Sequence, residues 1–151
     1  DGKLLVDGSP REEELHTDAV DAWVAKHSAI LPVRHEVNRR LRDIASTRDI
    51  VMEGRDITTV VFPHAEVKIF LDAKPEARAR RRFLQGTSGL SEEEIAASLR
   101  QRDAIDRNKE EGSLTVAQDA VYIDTSDLTL NEVCEKVLML IRQELYGRKR
   151  E

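Results

Sequence analysis

The chain has 151 residues, of which 35% are charged, 40% hydrophobic and 4% aromatic, and its formal net charge is −5 at pH 7. This length predicts one domain with a modest core, and the acidic balance argues against wholesale binding to nucleic acid or to an anionic membrane. The single cysteine, Cys134, excludes an internal disulfide, and the apolar helix pattern around it predicts a buried thiol. No apolar run approaches transmembrane length and no signal peptide is visible, so we expect a cytoplasmic protein, provided that no targeting segment precedes residue 1.

The first part of the chain predicts a strand, a turn and a helix. Residues 3–7 are typical of a strand, residues 8–10 (Gly-Ser-Pro) of a turn, and Thr17 of a helix cap. The stripe expected to face a core consists of Val20, Trp23, Val24 and His27. His27 has no cysteine or second histidine at metal spacing nearby, which favours packing or surface exposure over a ligand role.

Pro32 is expected to open the next helix. Its predicted buried face consists of Val33, Val37, Leu41 and Ile44. The charges predicted to face solvent are Arg39, Arg40 and Arg42. Arg34 is set against the apolar stripe, and the residues alone allow either a surface charge or a ligand contact.

The most informative stretch follows this helix. Residues 50–52 (Ile-Val-Met) predict a short buried strand that stops at Gly54, where a side chain could forbid the required backbone conformation. Arg55 and Asp56 then stand at the strand's carboxyl end, where ligands bind in open α/β sheets. An arginine there can grip a phosphate with two hydrogen bonds, and an aspartate can accept from an amino group or fix the arginine. A turn with a solvated ion pair is the simpler alternative.

Residues 67–71 predict a second central strand, apolar enough to be covered on both faces, and Pro75 predicts the start of a helix. That helix carries Arg78, Arg80, Arg81 and Arg82. Helical geometry places Arg78, Arg81 and Arg82 on one side. The arginines allow a solvated face, an RNA-binding patch, or a lid hinge that neutralises nucleotide phosphates.

A flexible break is expected at residues 86–89, and residues 91–94 (Ser-Glu-Glu-Glu) form a capping box for another helix. Arg102 and Asp106 are four residues apart on that helix, so they meet on one face. As a plain surface ion pair they would contribute only about 0.3–0.5 kcal/mol.

Residues 121–124 predict the third core strand, and residues 129–132 (Thr-Leu-Asn-Glu) a second capping box. The last helix is expected to bury Val133, Val137, Leu140 and Ile141. The basic tail at residues 147–151 is expected to be disordered.

Several of these segments form one ordered series of motifs. The series contains EGRDITTVVFP at residues 53–63, VKIFLDA at 67–73, the arginines at 78–82, RDAIDRN at 102–108 and AVYIDTS at 120–126. It resembles the bacterial cytidylate kinases, which transfer the terminal phosphate of ATP to CMP or dCMP. The resemblance covers nearly the whole chain, more weakly before Thr17, and linked motifs in one order are far more specific than any single motif.

The resemblance implies an α/β fold of the P-loop NTPase-like nucleoside monophosphate kinase type, with a parallel sheet flanked by helices. Residues 1–48 would form part of the substrate-binding insert, residues 49–84 and 112–151 the core, and residues 85–111 the lid. No G-x-x-x-x-G-K-[ST] phosphate loop occurs in the sequence. In this fold the strand that bears this loop is central. We therefore expect that the chain alone is poorly folded and inactive, or is completed by another segment or a neighbouring copy, whereas the intact enzyme is a monomer.

The resemblance also implies roles for particular residues. Those implied to bind CMP or its phosphate are Arg34, Arg55, Asp56, Arg102, Asp106 and Lys109, with Arg55, Arg102 and Lys109 as the catalytic group. Arg34 would help to read the cytosine ring, and Arg102 with Asp106 would hold the ribose hydroxyls. Arg78 and Arg82 would neutralise ATP phosphates in the lid. ATP and Mg²⁺ are implied, held mainly by the phosphate loop, and no metal-ligand set is expected in this chain.

Four positions depart from the family pattern. Ala25 falls near the family's cytosine-contacting serine, and Ser28, one helical turn away, could replace it, so base selectivity is open. Thr58 stands where the family often has glycine, and His64 stands where it usually has aspartate. Lys109 replaces an arginine, which keeps the charge but loses the planar fork.

Three functions stay open from the sequence. They are a CMP/dCMP kinase, a non-catalytic CMP-binding remnant without ATP binding, and an RNA-interacting protein that uses the arginine-rich helix. Net acidity argues against the last of these.

Overall fold

A computed structural model describes residues 5–11, 14, 20, 23–24, 27–86 and 89–147. The chain divides into two compact units, residues 1–40 and residues 41–151, and each is described by itself. Some predictions fall outside the described residues, namely those for residues 3–4, Thr17, Ala25, residues 87–88 and residues 148–151.

The first unit begins with a small antiparallel hairpin. Strand β1 (Leu5–Val6) pairs with β2 (Ser9–Pro10). The connecting residues Asp7 and Gly8 have φ angles of 51° and 78°. A two-residue hairpin turn of type I′ requires positive φ at both central residues, and aspartate and glycine both tolerate such values. The turn therefore lies one residue earlier than predicted, and Ser9 and Pro10 belong to the second strand.

The helical stripe upstream of Pro32 is more exposed than predicted. Val20, Trp23, Val24 and His27 are helical, as expected. Trp23 and Val24 are nevertheless 58% and 47% exposed. The His27 ring lies 5.7 Å from the Trp23 ring, and its Nδ1 is 2.9 Å from the Trp23 carbonyl oxygen. These are local contacts within one helical turn, so His27 is a packed surface residue and the predicted core orientation of Trp23 and Val24 is wrong.

Helix α1 (Leu31–Ala45) has Pro32 in its first turn, as predicted. The predicted buried face is wrong, because Val33, Val37 and Ile44 are 47–48% exposed whereas Asn38 is 7% exposed. The less exposed positions are Arg34, Asn38, Leu41 and Ala45, which also recur at helical spacing. The 3.6-residue period fixes which residues share a face, but it does not decide which face is covered.

The three arginines predicted to face solvent, Arg39, Arg40 and Arg42, are exposed. Arg39 and Arg40 both donate to the Glu36 carboxylate, at 2.9 Å and 2.7 Å, on the surface of α1. These hydrogen bonds lower the pKa of Glu36 to about 2. Exposed pairs of this kind contribute little to stability.

The second unit contains a two-stranded parallel sheet in its described residues. Strand β3 (Ile69–Asp72) pairs in parallel with β4 (Val121–Asp124), so that Asp72 stands opposite Asp124. The bounds of β4 and the parallel pairing confirm the sequence prediction, although β3 begins two residues later than expected. Leu71 is 53% exposed, which contradicts the prediction that this strand is covered on both faces.

The predicted strand at residues 50–52 is absent from the described part of the chain. Residues 49–54 are irregular, and Val51 is 99% exposed. The prediction was wrong because a strand is stabilised by hydrogen bonds to a neighbouring strand, and the described strands pair only with each other.

The remaining helices begin where the sequence predicts. They are α2 (Pro75–Leu84), α3 (Glu92–Arg107) and α4 (Leu130–Gly147). Ser91 and Glu94 form the predicted capping box, since Ser91 N donates to Glu94 Oε2 at 2.8 Å and Glu94 N donates to Ser91 Oγ at 3.3 Å. Thr129 and Glu132 cap α4 in the same way. The buried apolar residues of this unit are Val61, Ala73, Ala79, Ile95 and Ile123.

Cys134 in α4 is exposed, so the predicted buried thiol is wrong. The predicted stripe of Val133, Val137, Leu140 and Ile141 is half-buried, and Cys134 lies on its flank. None of the helices in the described residues is long and apolar enough to cross a membrane.

Candidate functional site

Six charged side chains of the second unit are linked by ion pairs, each to at least one other member, and we call them the charged cluster. They are Arg55, Arg78, Arg102, Asp103, Asp106 and Lys109. They come from the loop after residue 54, from α2, and from the last turns of α3 with the residues just beyond. Four cations and two carboxylates leave a formal excess of two positive charges. The cluster therefore favours a doubly charged anion.

Asp106 is the most buried member, at 4% exposed. Its Oδ1 lies 2.8 Å from Lys109 Nζ, and its Oδ2 lies 3.3 Å from Arg55 Nε and 4.0 Å from Arg102 Nε. Within the described residues no donor is aligned with Oδ2 well enough for a hydrogen bond, so the arginines act on it through charge. The predicted pair of Arg102 and Asp106 thus exists, but Asp106 is closer to Lys109 and Arg55.

Arg78 and Asp103 form the strongest pair of the cluster. Arg78 Nη1 donates to Asp103 Oδ1 at 3.1 Å, and Nη2 donates to Oδ2 at 2.5 Å. The third donor, Arg78 Nε, reaches the carbonyl oxygen of Ala73 at 3.0 Å. The hydrogen bonds from Arg78 lower the pKa of Asp103, and those to Asp103 raise the pKa of Arg78. This planar two-pronged contact fixes the guanidinium plane as well as its position.

A π-helical turn (Ile57–Val61) follows Arg55 and Asp56 directly. Asp56 is 8% exposed, and its carbonyl oxygen accepts from Val60 N at 2.9 Å and from Val61 N at 3.3 Å. Arg42 donates to the other end of the turn, from Nη2 to Val60 O at 2.8 Å and from Nε to Val61 O at 2.9 Å. Arg42 is therefore exposed, as predicted, and also holds this turn through two hydrogen bonds.

Gly54 precedes Arg55 for a reason that differs from the prediction. Its φ does not lie in the left-handed region that favours glycine. A Cβ at this position would instead lie 2.8 Å from Ile57 Cγ1 and 2.9 Å from Ile57 Cδ1. Only glycine allows this close approach of the side chain in the π-helical turn without a shift.

Arg81 does not belong to the charged cluster, although it was predicted to share a helix side with Arg78. It donates to Thr125 Oγ1 at 3.1 Å, to the Thr125 carbonyl oxygen and to Leu128 O at 3.2 Å. Ser126 Oγ in the same loop accepts from Lys74 N at 2.8 Å. These contacts tie α2 to the loop after β4.

An open cavity of about 410 Å³ lies beside the cluster, at the carboxyl ends of β3 and β4. Its lining includes Asp72, Arg78, Arg100, Asp103, Arg107 and Tyr122. The Tyr122 hydroxyl donates to Asp72 Oδ2 at 2.8 Å, and this hydrogen bond raises the pKa of Tyr122. A cavity of this volume is within the range of small-molecule sites.

The structure brings together most, but not all, of the residues predicted for the site. Arg55, Arg78, Arg102, Asp106 and Lys109 lie in the cluster. Asp56 is next to Arg55 and buried, and Arg82 lies half-buried one turn beyond Arg78 on α2. Arg34 is half-buried in the first unit, which is described separately. Sequence reasoning missed Asp103, although its place three residues before Asp106 put both carboxylates on one face of α3.

A parallel α/β unit with arginines beyond the carboxyl ends of its strands is typical of proteins that handle phosphorylated ligands. The sequence model for the cytidylate kinase family matches residues 1–143 of this chain, and the chain therefore belongs to that family.

The chain is also similar to individual cytidylate kinases. It is 41% identical to the cytidylate kinase of Borrelia hermsii over 137 residues, which cover 89% of this chain and 63% of that protein. It is 37% identical to cytidylate kinase 1 of Borreliella afzelii, covering 91% of this chain and 63% of that protein. For the cytidylate kinase of Thermosipho melanesiensis the identity is 37%, with 95% and 67% covered. The chain thus spans a little less than two thirds of the length of the first two relatives.

Proposed function

We propose that this chain forms the acceptor-nucleotide site and the lid of an enzyme that transfers the γ-phosphate of ATP to CMP or dCMP. The observation that carries the proposal is the charged cluster, in which four cations face two carboxylates. A phosphate monoester carries about −1.5 to −2 charges at pH 7, which matches the excess of the cluster.

The proposed roles are those that the family resemblance implies, and the ion pairs of Arg55, Arg102, Asp106 and Lys109 support four of them. Arg55, Arg102 and Lys109 bind the CMP phosphate, and for this Lys109 and Arg55 exchange their contacts with Asp106 for phosphate oxygens. Asp106 then accepts hydrogen bonds from the ribose hydroxyls, and Arg102 donates to the hydroxyl oxygens. Asp56 is assigned to CMP binding, and Arg78 and Arg82 to the phosphates of ATP. Arg34 keeps the role that the resemblance implies for it, in reading the cytosine ring.

The reaction needs positioning and charge neutralisation more than proton transfer. A phosphate oxygen of CMP attacks the γ-phosphorus of ATP, a new P–O bond forms, and the bond to the ADP oxygen breaks. The attacking oxygen is already anionic, so no general base is required. The arginines of the cluster neutralise the charge that spreads over the transferred group.

Cytidylate kinases generally use ATP and Mg²⁺, but the described residues contain no group of three or more His, Cys, Asp or Glu side chains that could hold a metal ion. The sequence also has no phosphate-loop motif. The described residues therefore do not form a Mg²⁺ site, and no step of the phosphate transfer is assigned to the metal.

We propose that a further polypeptide segment, from the same protein or a partner, carries the phosphate loop and completes the sheet. The exposure of Val51 at 99% and of Leu71 at 53% supports this proposal, as does the greater length of the relatives. Size-exclusion chromatography with light scattering and a thermal melt test it. A monodisperse monomer of these 151 residues that melts cooperatively would overturn it.

A second function, a CMP-binding protein without kinase activity, would use the same charged cluster. A coupled assay of ADP release from CMP and ATP separates the two functions. Calorimetric titration with CMP tests the acceptor site itself. We expect binding that falls about tenfold or more in Arg55→Gln and is unchanged in Arg80→Gln, which removes an exposed charge from α2. The absence of CMP binding in the unaltered chain would refute both functions.

An RNA-interacting role has less support. Arg78 and Arg81 are engaged in internal hydrogen bonds, and the net charge is −5. A cytoplasmic location stays a prediction.

A further inference from the structure

Asp103 is the point at which three separate elements of the cluster meet. Its two carboxylate oxygens accept from the two terminal nitrogens of Arg78, which lies on α2. The same Oδ1 lies 3.7 Å from Nη1 of Arg55, in the loop after residue 54. Asp103 itself lies on α3, and its side chain is 15% exposed. One carboxylate thus contacts two arginines that are far apart in the sequence.

These contacts restrict both guanidinium groups. Arg78 is held at all three nitrogens, by Asp103 and by the Ala73 carbonyl oxygen. Arg55 lies between two carboxylates, with Nη1 near Asp103 and Nε near Asp106. Each terminal nitrogen of an arginine carries two hydrogens, so a bound anion can still be contacted by the hydrogens that the carboxylates leave unused.

We propose that Asp103 is a positioning residue for phosphate recognition, which holds Arg55 and Arg78 in the orientation in which they meet a bound phosphate. The inference rests on the proposed function, in which Arg55 meets the phosphate of CMP and Arg78 meets the phosphates of ATP. The test below reads the CMP phosphate, and therefore the contact between Asp103 and Arg55. Asp103 acts through the arginines and has no contact with the substrate of its own. An arginine that is ordered before binding loses less side-chain entropy when it binds, so the pre-ordered pair binds phosphate more tightly.

The test compares CMP with cytidine, because only CMP carries the phosphate. The quantity measured is the ratio of the Kd for cytidine to the Kd for CMP, obtained by calorimetry on the full chain. We expect Asp103→Asn to lower this ratio about tenfold, since asparagine keeps the shape but replaces one charge-assisted acceptor with a donor. Asp103→Glu keeps the carboxylate and should recover part of the ratio. Glu94→Gln removes an exposed charge from the same helix, can still cap it, and should leave the ratio unchanged.

An unchanged or increased ratio in Asp103→Asn would overturn the proposal, because Asp103 would then be neutral or merely compete with the phosphate for the arginines.

A second measurement, by NMR, needs no ligand. The Nε–H resonances of Arg55 and Arg78 in ¹⁵N NMR spectra should shift and broaden in Asp103→Asn and persist in Glu94→Gln. Should the unaltered chain bind CMP no better than cytidine, the proposed function fails. The NMR comparison then decides alone whether Asp103 orders the arginines, and unaltered resonances in Asp103→Asn refute the inference.

Discussion

Replacing Asp106 with asparagine tests how much the charged cluster contributes to the stability of the second unit. The change keeps the shape of a side chain that is 4% exposed and removes its charge. Lys109, 2.8 Å from Oδ1, and Arg55, 3.3 Å from Oδ2, then lose their main counter-charge. We expect Asp106→Asn to lower the free energy of unfolding.

The magnitude follows from the exposure of the partners. Breaking a fully buried ion pair costs about 3–5 kcal/mol. The Arg55 side chain is 37% exposed, so water replaces part of its lost interaction, whereas that of Lys109 is only 13% exposed. Asparagine also keeps one acceptor oxygen for Lys109. We therefore expect a loss of about 2 kcal/mol, which corresponds to a decrease in Tm of about 4–8 °C for a chain of this size.

Urea denaturation of the chain together with its completing segment, followed by far-UV circular dichroism, measures this loss. Glu94→Gln is the matched control, because it removes an exposed carboxylate from the same helix, can still cap that helix, and should leave the free energy of unfolding nearly unchanged. An Asp106→Asn variant as stable as the unaltered chain, or more stable, would refute the reasoning, since the desolvation of Asp106 would then outweigh its attraction to the cations.

Three further changes test neighbouring parts of the site. Arg42→Ala removes two hydrogen bonds to the π-helical turn, so it should lower the free energy of unfolding by about 1–2 kcal/mol and speed amide hydrogen exchange in that turn. The control Arg40→Ala breaks only an exposed ion pair and should change the free energy of unfolding by less than about 0.5 kcal/mol. Equal effects of the two changes would contradict the role of Arg42 in holding the turn. Gly54→Ala should lower the free energy of unfolding in urea by about 1–3 kcal/mol, because its Cβ would lie 2.8 Å from the Ile57 side chain. A Cβ at Gly89 meets no atom within 4 Å, so Gly89→Ala is the control without such a clash. A Gly54→Ala variant as stable as the unaltered chain would disprove the close approach. The pKa of Asp103 is lowered in the folded state, so its contribution to stability is present above the unfolded pKa near 4 and is lost as pH falls through the folded pKa. The free energy of unfolding, measured between pH 5 and pH 2, should therefore fall less steeply in Asp103→Asn than in the unaltered chain. Parallel profiles of the two proteins would contradict this.

Features set by residues a few positions apart could be predicted from the sequence. The capping boxes at Ser91 and Thr129 place the starts of α3 and α4 correctly, because the cap and its partner are three residues apart. The bounds of strand β4 were predicted as well, and the family resemblance implied a parallel sheet. The four-residue spacing of Arg102 and Asp106 likewise predicted two members of the charged cluster.

Features that depend on residues distant in the sequence could not be predicted from it. The apolar run at residues 50–52 satisfies the pattern of a buried strand, but a pattern cannot supply the strand that must pair with it. The covered face of α1 and the exposure of Cys134 depend in the same way on what lies against each helix. Asp103 was missed because its partner Arg78 lies 25 residues earlier in the sequence. The contacts of Arg81 were not predicted because its partners follow 44 and 47 residues later.

The central claim, that the charged cluster receives the phosphate of a cytosine nucleotide, is tested most directly by a crystal structure of the chain with CMP. The account predicts phosphate oxygens about 2.7–2.9 Å from nitrogens of Arg55 and Lys109, with the contacts of both residues to Asp106 lengthened or broken. A CMP phosphate bound elsewhere, with the ion pairs of Asp106 unchanged, would contradict it.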